Sequence, residues 1–466
     1  MKPLFVFLSL LISLAILFGS CRKETFITSE DARIELSTDT LFFDTVFTTT
    51  GSITQGIKIY NSNDQKLMLD RIRLGGGNTS AYSMNADGTP GNDLSNFEIE
   101  GGDSLYVYVT VTIDPNADLQ PFLVTDSILI NFNGFERKLQ LQAFGQNAKF
   151  FRNTLLSGNH TWTPELPYVI IGGLQVDTNS LLTIEKGTRI YLHADAPLVV
   201  DGTLIVNGTK SDSVIFNGDR LDKDYRDLPA SWPGIYFRQT SVNNVMTNAI
   251  IKNAYQGLVA DQPSTNGTPK LTLRECIIDN VYEAGLTGIT SSIDAQNCLI
   301  SNCGINLLLI KGGEYTVTHC TLASYSNLYV AHKNPVLYIN NWDSTNNTLY
   351  TFDIQASLTN NIFWADESTV DNEVVISKRG NNTFNVVLTN NIYKAMEEPA
   401  FATLTNNLRN EDPLFDSINV NSNYYDFHIN RYPSPAVNSG LTTNVKNDLD
   451  GRTRDSRPDI GCYEKN

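Results

Sequence analysis

The densest mixture of chemically useful side chains lies between Asn217 and Gly234. Asp219, Arg220, Asp222, Asp224, Tyr225 and Asp227 crowd into one polar stretch, and Trp232 follows. Carboxylates, a guanidinium and aromatic rings in one loop are the groups that sugar recognition uses: planar hydrogen bonding plus an apolar ring face. These seven residues are therefore the candidate ligand site. The Asp spacing partly matches a Ca2+ loop, but the central Gly and distal Glu of an EF-hand are missing, so no cofactor is assigned and Ca2+ is kept only as an option. A competing reading makes the stretch a solvated loop whose charges pair among themselves, with Trp232 packed on the coil below.

Cysteine spacing is the second signal. Cys276, Cys298 and Cys320 recur every 22 residues in the same frame, and Asn280, Asn302 and Ser324 follow each by four. Zinc would need closely paired ligands of the Cys-x-x-Cys kind, which are absent, so no metal is assigned. Equal spacing instead marks a solenoid in which the thiols stack inside. A disulfide between stacked thiols stays open. Catalysis on such a scaffold needs convergent groups, two carboxyls for a glycosidase or a Ca2+ and a base for a lyase. The central coils, Ala249 to Leu322, offer Lys252, Asp279 and Asp294 without clear convergence, and His319 reads as structural. No catalytic residue is assigned.

These groups require a framework. Around the cysteines, and in Leu182 to Thr188, Leu198 to Thr209, Val214 to Phe216 and Trp232 to Phe237, short strands end in Gly or Asn with no room for helices. Stacked at ~4.8 Å, they give a parallel β-helix of roughly 12 coils across 155–466, with Asn side chains bonding in ladders at the bends. Its open ends need covers, and the C-terminal tail is expected to cap one. Upstream, Leu105, Val107, Val109, Val111 and Ile113 alternate with Tyr and Thr, a strand with one buried face. About seven such strands between residues 32 and 148 predict an all-β, immunoglobulin-like sandwich.

The chain opens on a short basic start, an apolar run from Leu4 to Phe18, and Gly19-Ser20-Cys21. Fifteen residues fall short of the about 20 that a membrane span needs, so residues 1–20 read as an export signal. Residues 21–31 form a linker. Net charge is −16 over 466 residues, which argues against nucleic acid as a partner.

Several resemblances add to these readings. Leu17-Phe18-Gly19-Ser20-Cys21 resembles a bacterial lipobox, which implies acylation of Cys21 and an outer-membrane lipoprotein; an ordinary signal peptide with an incidental cysteine is the alternative. Ile57 to Asn61, Glu100 to Ser104 and Ile113-Asp114-Pro115 resemble Ig-like domains of the abnormal-spindle and hydin type, implying a spacer or adhesion role. The coils resemble right-handed β-helices of the pectate-lyase-like superfamily. The tail series Glu411 to Phe415, Asp426 to Ile429, Ser434 to Val437, Asp448 to Arg452 and Arg457 to Glu464 is similar to the closing segment of choice-of-anchor Q lipoproteins of Bacteroidota, with Cys462 where Ala is usual. Members of that family mostly lack an assigned reaction, and with the sugar-recognition groups of the 217–234 loop the expected role is non-catalytic glycan binding or adhesion. A polysaccharide lyase or glycoside hydrolase acting on an acidic polysaccharide, or a purely structural surface protein, are the alternatives.

Overall fold

Strand alternation sets the first of two compact units, which divide between Asn147 and Ala148. The computed structural model describes residues 25–366, 370–430 and 433–465. The export signal, Cys21 and the first linker residues lie outside them. Among the described residues, no helix is long and apolar enough to cross a membrane.

In the first unit, Ser104–Val111 buries Leu105, Val107, Val109 and Val111 and turns Tyr106 and Tyr108 outward. It pairs antiparallel with Gln55–Asn61 and Tyr82–Ala86. The facing sheet is built on Thr40–Phe47, Phe135–Gln146, Phe122–Phe132, Leu67–Leu74 and Asp93–Ile99. Its Leu141 and Ile130 join Ile57 and Val107 in one apolar core, so the two sheets form a sandwich. Burying each such side chain contributes roughly 1.5–3 kcal/mol, enough to fix strand register, because a one-residue slip would turn the whole set to water.

The second unit is an all-β, right-handed parallel helix. From Lys149–Leu156 to Leu408–Arg409, strands run in one continuous parallel ladder with three faces per coil. The first face stacks Leu181–Glu185, Thr203–Asn207, Asn244–Thr247, Leu271–Arg274, residues 293–296 and 315–318, Ile354–Thr359 and Phe384–Thr389. The second includes Ala249–Lys252, Ile277–Asp279, Leu299–Ser301, Thr321–Ser324 and Ile362–Ala365. The third includes Leu198–Val200, Ile235–Phe237, Leu258–Asp261, Leu337–Asn340 and Val374–Ser377. Among the described residues, ten strands stack on the first face, from Asn159–Trp162 to Thr403–Thr405. The count falls short of about twelve because the long connections at 219–234, 325–336 and 341–353 lengthen two of the coils.

One interior column shows how the coils are held. Ala249, Cys276, Cys298 and Cys320 occupy equivalent positions on successive coils, and Asn361, Asn391 and Asn407 continue the column. All three stacked thiols are buried and none is in a disulfide. Beyond them each Asn accepts from the coil before: Cys320 N–H donates to Asn361 Oδ1 at 2.8 Å, Asn361 N–H to Asn391 Oδ1 at 2.8 Å, and Asn391 N–H to Asn407 Oδ1 at 2.8 Å. The amide nitrogens of Asn361, Asn391 and Asn407 donate in turn to the carbonyls of Val317, Leu358 and Leu388. A buried polar side chain is tolerated here because its hydrogen-bonding groups find partners. The residue just before this column adopts positive φ (Asn248 46°, Asn297 58°, Asn360 58°, Asn390 53°), a conformation that Asn tolerates far better than branched side chains do.

The tail does not behave as an end cap. Phe415, Phe427, Ile429, Ala436, Leu449, Ile460 and Cys462 pack on Leu299, Ala323, Ile362 and Ile392, which point outward from the second face. Asn360 Nδ2 donates to Leu441 O at 2.7 Å and Asn390 Nδ2 to Ser439 O at 3.0 Å. Arg454, buried, joins Glu464 and donates to Asn297 Oδ1 at 2.7 Å. The outward apolar column on several coils is the reason: the tail's own apolar residues bury it, so the tail lies along the flank.

Candidate functional site

The insertion at 217–234 is held to the coils by its backbone. Asn253 Nδ2 donates to Arg226 O at 2.8 Å, and Asn280 Nδ2 to Asp227 O at 2.8 Å. Within it, Arg220 pairs with Asp222 through two hydrogen bonds, 2.8 and 3.1 Å, and its guanidinium lies 3.8 Å from the centre of the Tyr225 ring. Asp222 holds the Arg220 guanidinium above its ordinary pKa. Asp219 accepts from or donates to His193 Nδ1 at 2.7 Å, and burial pushes its carboxyl up while that bond opposes the shift. Asp227 contacts Arg226 at 3.4 Å, and Asp224 is exposed at the tip. The structure thus brings Arg220, Asp222 and Tyr225 together but has them satisfy each other.

Trp232 must be corrected. Its side chain is 0 % exposed and belongs to the interior of the β-helix. The indole N–H donates to Lys252 O at 2.8 Å, and the backbone of Trp232 bridges to Ala254 on the next coil. No ligand ring reaches it.

An open groove instead runs over the first face. It encloses about 1040 Å³ and spans several coils. Its floor is the outward column of the strands: Asp294, Thr316 and Ser357 stand one coil apart, as do Ser292, Glu314, Gln355 and Asn385. Pro263 to Pro269 border it on one side, and Thr351 to Asp353 with Asn382 and Thr383 on another. The second border is the base of a hairpin, Trp342–Thr345 with Thr348–Thr351. Asn341, fully buried, fixes that base by donating to Phe352 O at 3.1 Å and Arg379 O at 3.0 Å. The Arg379 guanidinium then covers the Trp342 ring at 4.3 Å. The opposite border ends at Pro269; the next residue, Lys270, is outside the lining and fully buried, its ammonium donating to Arg238 O at 2.8 Å and Gln239 O at 3.0 Å, and burial pushes its pKa down to about 8.

Within the groove, Asp294 is committed to Arg274 and accepts from Gln296 Nε2 at 3.2 Å. Asp353 accepts from Thr383 N–H at 2.8 Å. Glu314 is exposed, and its carboxylate makes no hydrogen bond or ion pair among the described residues. Chemically, this is a trough of hydroxyls, amides and carboxylates with Phe352 at its edge, suited to a long polar ligand. Lys252 and Asp279 are elsewhere, paired with each other at 3.2 Å on the second face. His319 is buried, its Nε2 accepts from Asn360 Nδ2 at 2.9 Å, and it is pushed down to about 3 by burial, so it is neutral and structural. No three His, Cys, Asp or Glu side chains gather to hold a metal ion among the described residues.

The groove was not singled out from the sequence, although a signal for it exists: Thr316 follows Asp294 by the same 22 residues that separate the cysteines. What the repeat does not reveal is which insertions rise beside the column.

A profile for the right handed beta helix region matches residues 168–322. No curated protein matches the chain. Among solved structures, a family 123 glycoside hydrolase from Clostridium perfringens is 10% identical over 28% of this chain and 30% of its own, with a TM-score of 0.20. The chain therefore spans under a third of that enzyme. The ASH/PapD-like domain 7 of human CEP192 is 10% identical over 28% of this chain and 94% of its own, TM-score 0.18. The catalytic domain of a GH87 alpha-1,3-glucanase, solved with tetrasaccharides, is 11% identical over 76% and 79%, TM-score 0.17. Likenesses this low carry no argument about function.

Proposed function

We propose that this protein binds a glycan chain lengthwise in the first-face groove, without turning it over, and that it does so as an outer-membrane lipoprotein whose first unit is an Ig-like spacer. The observation that carries the reading is the outward polar column, which repeats once per coil. Coils rise by ~4.8 Å, close to the length of a sugar ring along its chain, so equivalent side chains meet successive residues of the ligand. Hydroxyl, amide and carboxylate groups at fixed spacing supply the directional hydrogen bonds, and Phe352 supplies an apolar edge. The self-paired loop at Asp219 to Asp227 lends less support to a site of its own, because a ligand would have to break the Arg220–Asp222 pair before using it.

A lyase or hydrolase reading would draw on Glu314, the one groove carboxylate without an internal partner among the described residues. It lacks a matching acid or base, since Asp294 and Asp353 are already bonded.

The test is to fill the trough. Ser357 is exposed on the groove floor, so Ser357→Trp leaves the interior packing alone. Affinity for oligosaccharides that bind the parent protein is expected to fall at least about ten-fold, with an unchanged melting temperature. Arg220→Ala serves as the comparison and retains binding. Equal binding by Ser357→Trp and the parent protein would remove the groove from consideration.

A further inference from the structure

We infer that the groove selects an amino-sugar polymer, one carrying free ammonium groups, over neutral and acidic glycans; this rests on the glycan-binding reading above. Asp294, Glu314 and Asp353 all line the trough, and no lysine, arginine or histidine does among the described residues. Arg274, the guanidinium paired with Asp294, is not part of the lining. A polyuronate laid along this surface would bring one more carboxylate per sugar against Glu314 and Asp353, which no cation of the chain neutralises as Arg274 does Asp294, and like charges repel.

Bound Ca2+ is the usual way for a carboxylate-lined protein surface to hold an acidic polymer. That route needs several oxygen ligands converging on one point. Here the carboxylates are spread along the floor and border, and no three are gathered for a cation among the described residues. A chain of hexosamines needs no such convergence. Its ammonium groups recur along the polymer as the carboxylates recur along the trough, and Glu314 has no internal partner to give up. Its hydroxyls meet Thr316, Gln355 and Asn385 on the same floor.

The experiment measures affinity of the full chain for glucosamine oligomers, N-acetylglucosamine oligomers of equal length, and polygalacturonate with and without Ca2+. Glucosamine oligomers are expected to bind about ten-fold more tightly than their acetylated counterparts at low salt. The ratio should shrink as ionic strength rises, and shrink again in Glu314→Gln and Asp353→Asn. Both substitutions are at exposed positions, so folding is preserved. Equal affinity for the two hexosamine series overturns this inference and leaves glycan binding standing. Tighter binding of polygalacturonate, in either condition, does the same. Silence toward every polymer overturns both readings.

Discussion

Trp232→Ala lowers the stability of the β-helix by about 4 kcal/mol or more, and that loss comes without any direct loss of a ligand contact. Truncating a buried Trp to Ala typically costs about 3–5 kcal/mol through the cavity left behind. The indole also satisfies the Lys252 carbonyl at 2.8 Å, and orphaning that acceptor adds on the order of 1–3 kcal/mol unless water enters. Trp232 is among the largest fully buried side chains, so neighbours cannot relax to fill its volume. Denaturant unfolding followed by near-ultraviolet circular dichroism checks the loss. A variant as stable as the parent would mean that the ring is not interior, and would return it to the surface as a sugar platform.

Asn391→Ala is expected to cost on the order of 3 kcal/mol, whereas Cys298→Ala, in the same interior column, costs about 1 kcal/mol. The contrast follows from what each side chain satisfies. Asn391 Oδ1 accepts from the Asn361 backbone at 2.8 Å, and its amide donates to Leu358 O at 2.9 Å. Removing it strands a buried donor and a buried acceptor, each worth about 1–3 kcal/mol when unpaired. Cys298 loses one small polarizable atom from an apolar stack and only weak sulfur hydrogen bonds. Nearest-neighbour coupling spreads the Asn391 effect to the coils on each side, so unfolding should also become less cooperative. Equal denaturation midpoints for the two variants would refute the ladder as a source of stability.

The same column explains what could be read in advance. A repeat of 22 residues between Cys276, Cys298 and Cys320 determines that these positions stack, since only a coil returns the chain to the same place at constant spacing. The alternation of Leu105 to Ile113 likewise dictates one buried face. By contrast, the content of the Asn217 to Gly234 insertion is ambiguous from residue type alone. Arg220 can pair with a ligand carboxylate or with Asp222, and only geometry decides. Trp232 stands three residues before the inward Ile235, out of phase with that strand's alternation, and the turn at Gly234 (φ 134°) with the bridge to Ala254 brings it inside. The flank position of the tail is hidden from the sequence for a related reason. Ile277, Leu299 and Ile362 face outward, but alternation in strands of three or four residues is too short to distinguish an exposed apolar column from an interior one. Finally, the groove depends on two borders, 263–269 and 342–353, that have no counterpart on neighbouring coils and so leave no periodic trace.

The most direct measurement of the central claim is a hydroxyl-radical footprint of the full chain with and without a saturating hexosamine oligomer. The first-face site predicts protection at Phe352, Pro263 and Pro269, which border the groove, with Tyr225 modified equally in both states. Protection at Tyr225 with Phe352 unchanged would contradict the account and move binding to the insertion at 217–234.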